Sequence, residues 1–178
     1  MQVFWSEGYH GTSLPNLLAA TKLSRGSLYA AFGDKHGIFL RALDRYIDQA
    51  LERLDEELNS GPTAMAGLRA CMDGYVARTH GAAGKRGCLV VATAMELAAH
   101  DSQVASRIGR FFKAMEARLT ATAARAQAEG DVAADVDPAT FAHMLVCFAE
   151  GLRVVRKTDS DQDRSGAAIK ALIDRFAS

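Results

Sequence analysis

The sequence feature that most constrains the fold is residues 8–35, which contain the pattern of two very short helices separated by a tight turn. Thr12 or Ser13 can cap the first helix, because a side-chain oxygen there accepts a hydrogen bond from a free backbone N–H. Pro15 falls in the first turn, where its missing N–H costs nothing. Leucines follow at helical spacing, which predicts a helix over residues 14–21.

A second short helix is predicted over residues 25–32, with Ser24 as its N-cap and with Leu28 and Phe32 on its buried side. A helix of about eight residues is marginal alone, so neighbouring elements must hold both. Two short helices joined by a turn of three or four residues form the helix-turn-helix, whose second member enters the DNA major groove. The pattern therefore predicts a DNA-reading module.

The helix-turn-helix region also resembles a known family. The residues that carry the resemblance are Gly8-Tyr9, Thr12-Ser13, Leu23-Ser24-Arg25-Gly26-Ser27-Leu28-Tyr29, Phe32 and Asp34-Lys35. In this order they are similar to the signature of the tetracycline-repressor (TetR) family, over roughly residues 1–47. The resemblance implies an all-helical homodimeric transcriptional regulator, usually a repressor of operator DNA, whose variable C-terminal domain binds a small-molecule effector.

Charge is unevenly distributed although the chain has zero formal net charge. Residues 20–45 carry five basic and two acidic side chains, whereas residues 46–58 carry one basic and five acidic. A basic segment followed by an acidic one is typical of a small DNA-reading module on a separate body. We therefore predict a helix-turn-helix DNA-binding domain over residues 1–46 and a ligand-binding and dimerisation domain over residues 47–178.

Helical periodicity extends through the rest of the chain and predicts an all-α fold of about nine helices. Beyond the helix-turn-helix pair, and after a shortened first helix over residues 1–7, helices are predicted over residues 35–59, 64–80, 88–99, 102–129, 138–157 and 165–176. Residues 81–87 are predicted to be a flexible connection, and the helix over residues 88–99 is expected to be buried on most sides. The resemblance implies relatives with a longer first helix. An alternative interpretation is therefore that the chain is a small-molecule binding protein whose DNA binding is weakened by the shortened first helix.

Cysteine usage and hydropathy favour a cytoplasmic protein without a membrane partner. No apolar run approaches the length of a membrane span, and no signal peptide is visible. Cys71, Cys88 and Cys147 are an odd number, widely spaced and without a C-x-x-C pair. We therefore expect neither a disulfide framework nor a metal site, and no cofactor.

The candidate DNA contacts lie within residues 12–35, in or next to the two short helices. They are Thr12, Ser13, Ser24, Arg25, Gly26, Ser27, Tyr29 and Lys35. Arg25 can make bidentate contact with guanine, Ser27 can reach a base or a phosphate, and Gly26 permits close backbone approach. The resemblance implies that Tyr29 and Lys35 contact phosphates, and that Ala31 replaces a histidine common in the family.

An apolar set could line a ligand cavity between helices of the C-terminal domain, although such a set is more often plain core. Its members are Cys71, Met72, Tyr75, Cys88, Val91, Met95, Phe111, Phe112, Met115, Met144, Cys147 and Phe148. Methionine adapts to irregular pockets, which suits a small, mostly apolar effector. Glu96, His100, His143 and Glu150 lie near this set in the sequence and could orient a polar group of the ligand.

The last two predicted helices carry apolar residues that one subunit need not cover. These are Phe141, Leu145, Phe148, Leu152, Ile169, Leu172, Ile173 and Phe176. The resemblance implies that both helices pair with their two-fold copies as a four-helix bundle, where Ala142, Ala149, Ala168 and Ala171 allow close approach. A two-fold homodimer also matches the symmetry of a palindromic operator.

Catalysis has little support in the sequence. No glycine-rich phosphate loop, nucleophile elbow or H-E-x-x-H motif occurs. The three thiols are expected in apolar surroundings, which raise a thiol pKa and make it unreactive. We therefore predict that the chain is not an enzyme, while an enzyme that uses an internal pocket and a redox-sensing cysteine remain alternatives.

Overall fold

The computed structural model of the chain describes residues 1–158 and 162–178, and every regular element in them is an α-helix. The ten helices are α1 (Gln2–Gly11), α2 (Leu14–Thr21), α3 (Arg25–Phe32), α4 (Lys35–Leu58), α5 (Ala64–Ala77), α6 (Gly81–Arg86), α7 (Leu89–Leu97), α8 (Ser102–Ala128), α9 (Pro138–Val155) and α10 (Gln162–Asp174). The predicted all-α class is confirmed.

Helix α6 lies where the sequence predicted a flexible connection, so that prediction was wrong. Gly81 and Gly87 adopt positive φ angles of 59° and 77°, which lets the backbone turn sharply at both ends of the segment. Gly84 lies between them, and its amide donates to the carbonyl of His80, just before Gly81, at 2.9 Å. The two glycines therefore enclose a short helix that apolar periodicity could not reveal.

Side-chain caps mark the starts of five helices, among them Ser13 and Ser24 as predicted. The side chains of Ser13, Ser24, Thr63 and Asp137 each accept a hydrogen bond from a backbone N–H in the first turn of α2, α3, α5 and α9. Asp34 does the same for α4, where its Oδ1 accepts from the amide of Gly37 at 2.7 Å. Because capping is local, the predicted starts of these helices agree closely with the structure.

The chain forms two compact units, and α4 and α8 each contribute residues to both. Unit 1 contains Met1–Ala50 and Cys88–Gly109. Its core includes Phe4, Leu28, Phe39, Leu43, Val90 and Val104. Aromatic rings pack edge to face in it, with ring centroids 5.1 Å apart for Phe4 and Phe39 and 4.9 Å apart for Trp5 and Tyr46. Helices α1, α2 and α3 thus share a core with α7.

Unit 2 contains Leu51–Gly87 and Arg110–Ser178 as far as the structure describes them. Its core includes Leu68, Met72, Met115, Leu119, Phe141, Leu145 and Ile169. Glu129, which directly follows α8, accepts a hydrogen bond from the backbone amide of Ala64 at 2.8 Å. Arg118 binds Asp55 at 2.7 Å, and so joins α8 to the last turns of α4.

Helix α9 is long and apolar enough to cross a membrane by length and composition, with a mean hydropathy of 1.2 over 18 residues. The expectation that no run approaches that length was therefore wrong. Six of its residues, Phe141, Ala142, Leu145, Val146, Ala149 and Leu152, are nevertheless buried within unit 2. A core helix of a helical bundle meets the same criterion.

Candidate nucleic-acid interface

The first turn of α3 presents an exposed polar surface. Arg25, Gly26 and Ser27 are all exposed, as is the capping residue Ser24. The Ser24 hydroxyl accepts from the amide of Ser27 at 3.1 Å and lies 2.9 Å from the Ser27 hydroxyl. Free N–H groups at a helix N-terminus favour anions, so this turn can approach a phosphate or a base edge.

Two basic side chains, one in the first turn of α3 and one at the start of α4, lie over aromatic rings. The Arg25 guanidinium lies 5.6 Å from the centroid of Tyr29, and the Lys35 ammonium lies 4.7 Å from the centroid of Tyr9. Tyr9 packs in turn against Phe39, with ring centroids 5.0 Å apart. Partial burial, followed by Asp34 and Asp101, raises the pKa of Tyr9, so its ring stays neutral under the Lys35 charge.

At the start of α2, only one of the two hydroxyl groups that were predicted to contact DNA is exposed. Ser13 is exposed, and its oxygen accepts from the amide of Asn16 at 3.3 Å. Thr12 is only 1% exposed, and its hydroxyl donates to the carbonyl of Gly8 at 2.7 Å. The prediction that the Thr12 side chain contacts DNA was therefore wrong, because that hydroxyl is buried and used within the chain.

Phe32 also departs from its predicted position. It is 37% exposed and lines an open cleft of about 460 Å³ together with Leu28 and Ala42. Arg41 and Arg45 also line this cleft. Phe32 ends the short helix α3, so its ring reaches the edge of the unit 1 core and is not enclosed by it.

Three residues of Cys88–Gly109 hold residues 8–44 by polar contacts that the sequence did not predict. Glu96 accepts from the backbone amides of Tyr9 and His10 at 2.9 and 2.8 Å. Asp101 lies 2.6 Å from His36, and Arg107 donates to Asp44 at 2.8 Å. Glu96 was expected to orient a polar group of a ligand, and it binds this backbone instead. The partners are more than 60 positions apart, so no local pattern signals them.

The predicted cavity residues separate into buried and exposed groups. Cys71, Met72, Tyr75, Phe111 and Met115 are buried in unit 2, whereas Cys88 is buried in unit 1 and Val91, Phe112 and Phe148 are partly exposed. Met95 is 85% exposed and Met144 is 38% exposed, and Cys147 is exposed as well. These three do not line an interior cavity. Met95 is nevertheless the one exposed residue of α7, since Leu89, Val90, Thr93 and Leu97 are buried and the other four are partly exposed, in keeping with a helix that is covered on most sides.

A cluster of charged groups surrounds Tyr75 in unit 2. The guanidinium groups of Arg153 and Arg78 lie 4.5 and 5.1 Å from its ring centroid. Both arginines line a small opening of about 10 Å³, roughly the size of one water. Burial raises the pKa of Glu150, and Arg153, 3.7 Å away, opposes that rise. Of the four polar candidates, Glu150 contacts Arg153, which lines this opening, whereas His100 and His143 are exposed.

The thiols differ in their surroundings. Burial, reinforced by Glu57, raises the pKa of Cys71 to about 12, so this thiol stays protonated and unreactive. Cys88 is buried and accepts a hydrogen bond from the hydroxyl of Tyr46 at 3.6 Å. Cys147 is exposed, and its sulfur lies 3.6 Å from Nε2 of His143. The prediction of apolar surroundings was therefore wrong for Cys147.

Most of the predicted interface residues face the core of their own chain. Phe141, Leu145, Leu152, Ile169 and Ile173 are all at most 9% exposed, so they cannot face a partner as predicted. Leu172 and Phe176 are partly exposed. Beyond its first turn, α9 exposes the apolar residues Met144, Cys147, Val154 and Val155, with Gly151 among them at helical spacing. Helix α9 is apolar on both sides, and periodicity did not distinguish them.

Comparison with known proteins gives two family matches. Residues 64–172 match the model described as tetracyclin repressor-like, C-terminal domain, and residues 1–42 match that of bacterial regulatory proteins, tetR family. The HTH-type transcriptional repressor ComR of Escherichia coli (strain K12) is 27% identical over 177 residues, covering 97% of this chain and 80% of ComR.

Solved structures share the fold over nearly the whole chain. A TetR family transcriptional regulator from Cytophaga hutchinsonii superposes with a TM-score of 0.86 at 20% identity, covering 98% of this chain and 89% of that one. A cysteine mutant of the TetR family regulator CifR, complexed with 26-base-pair operator DNA, has a TM-score of 0.83 at 30% identity. In that case the coverage is 98% of this chain and 91% of CifR.

Proposed function

Because this chain belongs to the tetR family of bacterial regulatory proteins, we propose that it is a homodimeric repressor that a small molecule releases from a palindromic operator. Family membership makes it a DNA-binding transcriptional regulator and not an enzyme. The observation that carries the proposal is the exposed first turn of α3, where Arg25 directly follows the capping residue Ser24.

DNA contact is divided between base recognition and phosphate binding. Arg25 would meet guanine in the major groove, and Ser27 and Gly26 would allow the first turn of α3 to approach closely. Tyr29, Lys35 and the start of α2 at Ser13 would bind phosphates on either side. The CifR structure, at 30% identity, contains operator DNA, which supports DNA binding by this chain.

A homodimer is supported by the exposed apolar face of α9. Met144 is 38% exposed, and Val154 and Val155 are 55% and 56% exposed, with Gly151 between them. Together with the partly exposed Leu172 of α10, this face favours burial against a second copy. Two-fold symmetry would present two copies of α3 to two half-sites about one DNA turn apart.

The effector is proposed to bind in unit 2 around Tyr75. The opening there holds only about one water, so a larger ligand must displace side chains. Met72 and Met115 are flexible enough to repack, which suits a mostly apolar molecule whose polar end meets Arg78 or Arg153. The effector acts through different affinities for the two states, by a shift of α4 that changes the separation of the two DNA-binding domains.

The test is selection of the purified protein on a library of random duplexes, sequenced after binding at several salt concentrations. We expect enrichment of a palindrome, and loss of preference at one base of each half-site in the Arg25→Ala variant, about 10-fold or more in relative affinity. Lys113→Ala, which removes an exposed cation of α8, should leave the preference intact. No enrichment at low salt would overturn the proposal and favour the alternative of a small-molecule binding protein.

A further inference from the structure

We propose that Glu96 of α7 is a positioning residue for DNA binding, because its carboxylate fixes the backbone that leads into the helix-turn-helix. The inference rests on the proposed function, since it concerns the same DNA-binding surface. Glu96 does not itself face that surface. It acts through the main chain of Tyr9 and His10, which precede the start of α2.

Each carboxylate oxygen of Glu96 has its own donor. Oε2 accepts from the amide of Tyr9 at 2.9 Å, and Oε1 accepts from the amide of His10 at 2.8 Å. Hydrogen bonds to an ionised acceptor are roughly twice as strong as neutral ones. Two of them from one side chain fix both the position and the orientation of this short backbone segment.

Gly8 explains why an acceptor from outside is needed here. Its φ of 72° and ψ of 179° interrupt α1, so Tyr9 and His10 stand at a new helix start. Amides at a helix start lack the acceptors of the preceding turn, and a side-chain oxygen usually replaces them. A Cβ at position 8 would lie 2.9 Å from Oε2 of Glu96, so glycine also makes room for the carboxylate.

The fixed segment leads directly to two of the proposed phosphate contacts. The carbonyl of Gly8 accepts from the buried hydroxyl of Thr12 at 2.7 Å, next to Ser13, which caps α2. The ring of Tyr9 lies under the ammonium of Lys35 at 4.7 Å. Glu96 therefore determines where both Ser13 and Lys35 stand, although it contacts neither side chain through its own carboxylate.

The test substitutes Glu96→Gln, which keeps the size of the side chain but leaves one acceptor oxygen for two amides. We expect the dissociation constant for the palindrome enriched in the selection to rise about tenfold. Hydrogen exchange at the amides of Tyr9 and His10 should accelerate by about the same factor or more. The dependence of affinity on salt should keep its slope, because no cation is removed.

Glu129→Gln is the matched control. Glu129 accepts from the amide of Ala64 at 2.8 Å in unit 2, so the same substitution breaks the same kind of bond in the unit that does not contain the helix-turn-helix. We expect a lowered unfolding temperature and unchanged palindrome affinity of the folded protein. Gly8→Ala should lower the affinity for the palindrome, as Glu96→Gln does. Because both substitutions disrupt the same contact, the variant that carries both should bind no more weakly than the single variant with the lower affinity.

Two results would overturn the inference. One is wild-type palindrome affinity in Glu96→Gln, and the other is an equal loss in Glu129→Gln, which would indicate general destabilisation. The exchange measurement separates this inference from the proposed function, since it needs no DNA. If the wild type enriches no palindrome but Glu96→Gln still accelerates exchange at Tyr9 and His10, the proposed function fails and the backbone contact stands.

Discussion

At the residue scale, Asp101 joins a helix cap to a contact with the DNA-binding domain. Its Oδ1 accepts from the amides of Gln103 and Val104, each at 3.0 Å, at the start of α8. Its Oδ2 lies 2.6 Å from Nε2 of His36. The backbone hydrogen bond from Val104 lowers the pKa of Asp101 most, burial opposes it, and the contact with His36 adds to the lowering, so the pKa of Asp101 lies below its ordinary value.

We therefore expect stability to depend on the Asp101 charge in acid. A carboxyl whose folded pKa is lowered stabilises the fold fully above its unfolded pKa, about 4, and loses that contribution as the pH falls below it. Urea unfolding at pH 6 should show Asp101→Asn less stable than the wild type. At pH 3 the difference should shrink. An equal difference at both pH values would contradict this assignment, since asparagine retains the cap but never carries the charge.

Residue roles could be predicted where they depend on near neighbours in the chain. Ser24 was expected to cap α3 and does so, because a capping oxygen meets an amide three positions on. Thr12 was chosen for its hydroxyl, but its burial depends on the fold around Gly8. Glu96 reaches amides 86 and 87 positions away, and only the assembled unit brings them together.

At the scale of elements, the N-cap of α5 offers a direct measure of local stability. Thr63 accepts from the amide of Ala66 at 3.2 Å. Thr63→Ala should lower the free energy of unfolding by about 1 kcal/mol, because one amide of the first turn loses its acceptor. Ser102→Ala is the control, since Asp101 and not Ser102 caps α8. Urea unfolding would contradict the assignment if both variants lost the same stability.

Helix positions were predictable, but the side that each helix turns to solvent was not always so. In α8, apolar residues recur every three or four positions with charged residues between them. The 3.6-residue period therefore predicted which side of this helix is buried. In α9, both sides are apolar, so Phe141 and Leu145 could not be distinguished from Met144 and Val154. Packing within unit 2 decides which of them is covered.

At the scale of the whole molecule, the exposed face of α9 predicts the oligomeric state. Met144→Glu should raise the dimer dissociation constant at least about tenfold, because two-fold symmetry places two new charges in one apolar interface. Sedimentation equilibrium over a range of protein concentrations measures this. Met95→Glu is the control, since Met95 is 85% exposed on α7 in unit 1.

Two outcomes would contradict this interface. Met144→Glu could dimerise like the wild type, or Met95→Glu could weaken the dimer to the same degree. Either result would move the interface away from α9. A helical far-ultraviolet circular dichroism spectrum for both variants would establish that any change concerns association and not folding.

The division of unit 1 between Met1–Ala50 and Cys88–Gly109 has a consequence for synthesis of the protein on the ribosome. The amides of Tyr9 and His10 emerge early, but Glu96 follows only after residues 51–87 have been made. At about 5–20 residues per second, residues 51–109 take roughly 3–12 s to add. During that interval the amides of Tyr9 and His10 lack their acceptor, so we expect the backbone that leads into the helix-turn-helix to reach its final conformation late in translation.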